Sequence, residues 1–262
     1  MPFIDTHAHL DGEEFASDID MVVERARAAG CEAILVPSID LATAAAVTAL
    51  CDRFTGYMRP MIGLHPEEVR ADYAAVVAQL RAMYAAKPHC YVAIGEVGLD
   101  YYWSREYERE QLCAFEEQVR WAAEVRLPLM IHCRKAQNEL VAVLRRYRNA
   151  LVGGVFHCFT GNEREAEELL SFPNFALGIG GVLTFKKCRL PETLAAVVPL
   201  QRIVLETDSP YMSPVPLRGQ RNESANIVHV VNRLAAAYGV NSDEVERVTT
   251  ATARRLFRLD NH

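Results

Sequence analysis

Short apolar runs alternate with longer amphipathic stretches from one end of the chain to the other. Eight runs rich in aliphatic and β-branched residues fall at 3–9, 31–38, 58–65, 91–98, 129–132, 152–158, 175–180 and 202–208. Their length and composition predict strands. Between them, 108–126 places Leu112, Phe115, Val119 and Ala122 at helical spacing amid Glu and Arg, the mark of a helix with one apolar face. The stretches 18–29, 71–85, 136–147 and 163–170 read the same way, and two more, 225–238 and 242–257, follow the last strand.

Eight strand–helix units in about 250 residues predict an α/β chain folded as a (β/α)8 TIM barrel, with the last two helices on its outside. An open doubly wound sheet is the alternative, but eight units are many for it and no G-x-G-x-x-G follows the first run. No Pro/Gly/Ser-rich linker, low-complexity tract or charge block divides the sequence, so 1–262 is expected to form a single domain.

Composition narrows the function classes. At 262 residues and 50% hydrophobic, the chain can bury a full-sized core. A net charge of -6 argues against coating duplex nucleic acid by bulk electrostatics, while leaving room for a local basic mouth. No run approaches the length of a transmembrane helix, so no membrane partner is expected. The first residues lack a basic segment followed by an apolar one, and a candidate ligand already stands at residue 7, so no cleaved leader is expected. The seven cysteines (31, 51, 90, 113, 133, 158 and 188) contain no Cys-x-x-Cys pair. They read as reduced cytoplasmic thiols, not as a disulfide framework or zinc ribbon.

Polar residues inside the apolar runs carry the candidate chemistry. The first run reads Phe3-Ile4-Asp5-Thr6-His7-Ala8-His9. Residues two apart on a strand share a face, so both imidazoles are expected to project together, as half of a divalent-metal site. A lone His-x-His also arises by chance. His65, Glu96, His132, His157 and Asp208 stand near the C-terminal ends of other runs, the end that holds the active site in barrel enzymes. Singly, each has an ordinary reading as a core histidine or a helix-capping carboxylate. Gathered on one rim without a metal, they would bury several ionisable groups at high cost.

The stretches Asp5-Thr6-His7-Ala8-His9-Leu10-Asp11, Gly63-Leu64-His65-Pro66, Gly95-Glu96-Val97-Gly98-Leu99-Asp100-Tyr101, Ile131-His132-Cys133-Arg134, His157-Cys158-Phe159-Thr160-Gly161 and Glu206-Thr207-Asp208-Ser209-Pro210-Tyr211 resemble the TatD family of metal-dependent hydrolases and deoxyribonucleases. The match is collinear over nearly the whole chain and extends to Pro214-Val215-Pro216-Leu217-Arg218-Gly219 and Arg221-Asn222-Glu223. The resemblance implies a two-metal centre on a TIM barrel. One cation would be held by His7, His9, Glu96 and Asp208. The other would be held by Glu96, His132 and His157, with Glu96 bridging. The donor set suits Zn, Mn, Ni or Fe, and Mg less naturally. Two such cations about 3.5–4 Å apart can activate water and neutralise a phosphoryl group.

Asp208 and Glu96 are thus the expected catalytic residues, with Asp208 doubling as base or orienter for the attacking water. Glu206, two residues earlier, is expected to point into the barrel behind the ligands. Cys133 and Cys158 are expected to face the other way. His65, Arg134 and Arg221 are the expected substrate contacts, with Lys186, Lys187 and Arg218 on neighbouring loops. Tyr101, Tyr102, Trp103, Phe159 and Phe185 offer rings for stacking an unpaired base. Two positions depart from the family pattern: Lys135 replaces a frequent acid, and Ser224 replaces the proline that usually follows Arg-Asn-Glu. Neither touches an expected ligand.

The expected function is metal-dependent phosphodiester hydrolysis of DNA or a nucleotide, trimming from an end, with no obligate protein partner. The alternative is a hydrolase of the same superfamily acting on another ester, amide or phosphate bond, because the metals serve both electrophiles. A non-catalytic scaffold is the third reading, opposed by the intact ligand set.

Overall fold

The computed structural model describes residues 2–261. Eight parallel strands pair in sequence order: β1 (Phe3–Asp5), β2 (Cys31–Val36), β3 (Met58–Ile62), β4 (Ala93–Asp100), β5 (Leu129–Arg134), β6 (Gly154–Phe156), β7 (Phe175–Ile179) and β8 (Ile203–Leu205). The two ends of the sheet meet where the Thr6 amide donates to the Leu205 carbonyl at 3.0 Å, followed by a parallel bridge between Ala8 and Ser209. The result is the expected (β/α)8 barrel. Its helices are α1 (Ile19–Ala28), α2 (Leu41–Arg53), α3 (Tyr73–Ala86), α4 (Glu108–Val125), α5 (Gln137–Tyr147), α6 (Glu163–Leu170), α7 (Leu190–Val197), α8 (Ile227–Tyr238) and α9 (Ser242–Phe257).

The expected helices all form, but α2 and α7 were not among them. The segment LATAAAVTALCDR is so rich in alanine that its faces hardly differ in polarity. Its start is nonetheless encoded, because the Asp40 carboxylate accepts from the Thr43 amide at 2.7 Å while the Thr43 hydroxyl oxygen accepts from the Asp40 amide. Strands β1, β6 and β8 are only three residues long. Their apolar runs continue past the paired residues into irregular backbone, and those extensions carry much of the site.

Two apolar layers hold the barrel. The larger packs the outward faces of the strands against the helices. The smaller fills the inside with one residue from every strand: Ile4, Leu35, Met61, Ala93, Met130, Val155, Ala176 and Val204. Ala253, Leu256 and Phe257 of α9 join this inner layer. Their three- and four-residue spacing gives α9 an apolar stripe. That stripe closes the N-terminal end of the barrel, so α9 does not merely cover the outer wall. Among the described residues, no helix is long and apolar enough to cross a membrane.

Candidate metal centre

The inner alternation of the strands leads directly to the site. On β5, Met130 lies in the inner layer and His132, two residues on, shares its face. Beyond β6, His157 follows Val155 by two, and beyond β8, Glu206 follows Val204 by two. Strand β4 requires a correction of phase. Ile94 packs outward among the helices, so simple alternation would send Glu96 outward too. The pairing Ile94 with Leu129 and Val97 with Ile131 sets three steps on β4 against two on β5. This bulge reverses the alternation. Val97 and Leu99 therefore pack outward, while Glu96 and Asp100 turn to the site.

Glu96 lies at the centre, and its two oxygens face different groups. Oε2 is 3.1 Å from His7 Nε2 and 3.4 Å from His9 Nε2. Oε1 is 2.8 Å from His157 Nε2, 3.1 Å from His132 Nδ1 and 3.4 Å from His65 Nε2. Asp208 Oδ1 is 3.7 Å from both His7 Nε2 and His9 Nε2, on the Oε2 side. All six expected ligands thus converge. His7 and His9 reach the cluster from irregular backbone after β1, not from within the strand. Asp208 does so at φ +56°, a left-handed conformation that Asp tolerates better than most residues.

The buried carboxylates and imidazoles of the cluster shift one another's ionisation: against the cost of burial, Glu96 lifts His157 well above the usual imidazole range. Burial opposes ionisation of Glu96, but His157, His7 and His65 outweigh it and hold the carboxyl well below the usual range. Burial and the neighbouring His157 push His7 down to about 3, so it is a neutral donor. Burial lifts Asp208 to about 6, against the opposing pull of His157 and His9. His7 Nε2 and His9 Nε2 approach to 3.1 Å, a contact between ring nitrogens that a cation relieves. His7 Nδ1, His157 Nδ1 and Glu206 Oε2 are buried without a hydrogen-bond partner among the described residues. Two triads, His7–His9–Glu96 and Glu96–His132–His157, each bring one donor atom per residue within 4.8 Å of the others. Imidazole nitrogen and carboxylate oxygen at this density fit divalent cations.

Several supporting residues escaped the sequence reading. Asp100 Oδ2 lies 2.8 Å from His132 Nε2 and Glu96 Oε1 3.1 Å from its Nδ1, so a proton held on Nε2 by Asp100 would free Nδ1 for a cation. Its other oxygen accepts the Tyr102 amide at 2.8 Å. Helix α4 holds both neighbouring loops through two buried glutamines seven residues apart. Gln111 accepts the Asp100 amide at 3.0 Å, and Gln118 satisfies both the amide and carbonyl of Leu64, beside His65. Asp5 accepts the His7 and Thr207 amides and the Thr207 hydroxyl, joining the loops after β1 and β8. Glu206 points inward and accepts the Cys158 amide, with Oε1 3.7 Å from His157 Nδ1. Gly178 makes that possible, since a Cβ there would stand 2.1 Å from Glu206 Oε2. The detectable signal was spacing: Asp100 lies four residues after Glu96, and glutamines at i and i+7 share one helix face.

The other expected contacts separate. A cavity of about 770 Å³ opens over the cluster, lined in part by His65, Arg134, Trp103, Tyr211 and both Cys133 and Cys158. Cys158 has left the strand, with φ +48°, so strand alternation no longer governs its direction. His65 Nδ1 accepts the Glu67 amide at 3.2 Å. Burial lowers the pKa of this ring, and with Nδ1 accepting, its proton sits on Nε2, at the cavity wall 3.4 Å from Glu96 Oε1. The Arg134 guanidinium carbon lies 3.7 Å above the Tyr102 ring and 5.1 Å from the centre of Trp103. Arg221 does not line the cavity. Its guanidinium donates to both Asp18 oxygens and to the Glu14 carbonyl, over the Phe15 ring. Arg218 likewise lies over Phe185 and outside the lining.

The model of a family described as TatD related DNase matches residues 4–258 of the chain. The chain belongs to this family. As a TatD-family protein it is a metal-dependent hydrolase. Its sequence is 35% identical over 256 residues to a relative from Bacillus subtilis named uncharacterized metal-dependent hydrolase YabD, covering 98% of this chain and 99% of that one. It is 34% identical over 260 residues to a Pantoea vagans protein named 3'-5' ssDNA/RNA exonuclease TatD, covering 97% and 99% respectively. Among solved structures, the TatD homolog YJJV from Escherichia coli K12 superposes with a TM-score of 0.90 at 29% identity, covering 98% of each chain. An amidohydrolase from Saccharomyces cerevisiae shares the fold, with a TM-score of 0.82 at 19% identity.

Proposed function

We propose that this TatD-family hydrolase cleaves the phosphodiester bonds of DNA, trimming a strand from an exposed end. The observation that carries the reading is the mouth of the cavity. Arg134 is held there by aromatic rings instead of a carboxylate, as a cation beside a cluster rich in carboxylates and imidazoles. Such a cation suits the phosphate of a neighbouring nucleotide. The exonuclease names carried by relatives of full length support the same substrate class.

In this reading His7, His9, Glu96 and Asp208 would hold one divalent ion and Glu96, His132 and His157 another; when bound, the ions would supply Lewis acidity toward phosphoryl oxygen and lower the pKa of water. Glu96 offers one oxygen to each group. Asp208, whose side chain is 15% exposed and lines the cavity, accepts the proton of the attacking water at its carboxylate. His65 donates from Nε2 to a non-bridging phosphate oxygen. Asp100 keeps the His132 ring in the tautomer that offers Nδ1, and Glu206 fixes the backbone after His157. Arg221 serves as a tie between the loop after β8 and α1.

The test is an activity panel of Zn, Mn, Ni, Fe and Mg against end-labelled single- and double-stranded DNA, RNA, and simple phosphate and carboxylate esters. A linear strand should be shortened from one end, while its covalently closed circular counterpart persists. Equal rates on both would show internal cleavage. Failure on every phosphodiester, with robust carboxylate or amide hydrolysis, would move the protein to another reaction of its superfamily.

A further inference from the structure

We propose that Trp103, with Tyr102 and Arg134, forms a stacking subsite for the unpaired terminal base of the strand being cut; this rests on the phosphodiesterase reading above. The loop after β4 leaves two large rings in solvent, Trp103 at 67% exposure and Tyr102 at 51%. Exposed rings of this size, grouped at one mouth, mark a binding surface. They are not loosely placed. Their centres lie 4.9 Å apart with the planes at 82°, and Arg134 covers Tyr102 at 3.7 Å. One face of Tyr102 is therefore taken at close range, while Arg134 stands farther from Trp103, at 5.1 Å, which leaves the more exposed indole as the ring offered to a ligand.

The position of that ring is tied to the reaction centre by one carboxylate. Asp100 holds the Tyr102 amide with one oxygen and the His132 ring with the other. The backbone next to Trp103 is thus anchored to the same buried carboxylate that holds a ring of the centre. Trp103 also lines a smaller cavity of about 290 Å³ with Asp100, Tyr107 and Gln111, so the indole stands between two hollows. Tyr211, which also lines the main cavity, is 58% exposed. An aromatic surface beside a cation fits a flat base joined to a phosphate, because stacking tolerates every base while the guanidinium takes the charge. A base inside a duplex presents only its edges, and a paired terminal base is still tied to its complement and stacked on its inner face, so neither can turn into the mouth as a free base can. The subsite therefore selects an end that is single-stranded or frayed.

The chain has two tryptophans, and Trp121 is 1% exposed, so iodide quenching of fluorescence reads Trp103. With the metal-loaded full chain, deoxyadenosine monophosphate should shield that fluorescence at concentrations where deoxyribose 5-phosphate does not. Trp103→Ala should raise KM for a linear single strand about tenfold, with a much smaller change in kcat, and Trp103→Phe should recover most of the loss. A strand ending in an abasic nucleotide should show the raised KM in the unaltered enzyme and little further change in Trp103→Ala. Equal shielding by the two phosphates, or equal KM for intact and abasic ends, would overturn the stacking subsite while leaving phosphodiester hydrolysis standing. No strand cleavage with any metal, together with turnover of a carboxylate ester, would remove both proposals. The shielding measurement on the unaltered chain decides the matter even if Trp103→Ala does not fold.

Discussion

At its floor the barrel interior receives one apolar side chain from each strand and is closed by Leu256 and Phe257 of α9. Two residues further along β5, and in the extensions of β6 and β8, the same inner face presents His132, His157 and Glu206. The floor is complete in itself: its side chains are buried against one another and ask for nothing else. The rim is not. It gathers five histidines around one carboxylate at 2.8–3.4 Å, and leaves buried ring nitrogens without partners among the described residues. The contrast teaches that stability and chemistry are stacked in separate layers of one barrel, so that a substitution can strike either alone.

The sharpest way to break that separation is at its centre. Glu96→Gln preserves shape but removes the charge that offsets two cations, so hydrolysis should be lost and bound metal should fall below that of the unaltered protein. Its far-ultraviolet circular dichroism should be unchanged. Retained activity with a full metal complement would show that the carboxylate does not join the two groups. The mirror experiment is Phe257→Ala in the floor, which should cost about 3–5 kcal/mol of unfolding free energy in urea. Activity per folded molecule should stay near that of the parent; a comparable loss of activity would show that floor and rim are mechanically coupled.

Asp100→Asn is expected to act more gently. Asp100 makes two acceptor contacts with two oxygens, and an amide can serve only one of them. Metal affinity or activity should fall about 10–100-fold, measurable by titrating metal into chelator-treated enzyme. An unchanged affinity would mean that His132 needs no partner to hold its tautomer.

The smallest effect lies outside both layers. The hydrogen bond from Arg221, against slight burial and with help from Arg25, lowers Asp18 from 3.8 to about 2. The folded value is depressed, so the stabilisation is present above pH about 4 and disappears as pH falls through about 2. The pair is partly exposed, 30% on each side chain, and its contribution is modest. Arg221→Ala should melt slightly below the parent at pH 6, and the gap should close by pH 2. A gap that persists to pH 2 would show that Arg221 stabilises by packing on Phe15 instead.

Much of this was legible in the chain. Strand–helix alternation, the barrel and the six residues that converge could all be read from position, because each stands at the end of an apolar run. Direction was harder. Period-two reasoning places Glu96 on the outer face, and only the extra residue in β4 turns it inward; bulges leave little trace in one sequence. Charge alone also could not separate Arg134 from Arg221. Arg134 ends β5 and Arg221 lies on the loop after β8, at the same end of the barrel, and their fates depend on whether a carboxylate from a distant part of the chain reaches them. Asp18 reaches Arg221. The supporting roles of Gln111 and Gln118 were invisible because their partners are backbone groups, which every residue carries.

The seam between β1 and β8 ties the first residues of the chain to some of its last. Thr207 and Asp5 share hydrogen bonds across a separation of 202 positions, and the donor set draws on both sides of that junction. A ribosome making this chain therefore releases His7 and His9 long before Asp208 exists. Until the last strand has been made and inserted, the polypeptide can hold five of the six donors but cannot bring the sixth beside them. Completion of the barrel and completion of the centre are one event in time, so a chain cut short before residue 208 is denied its chemistry by topology alone.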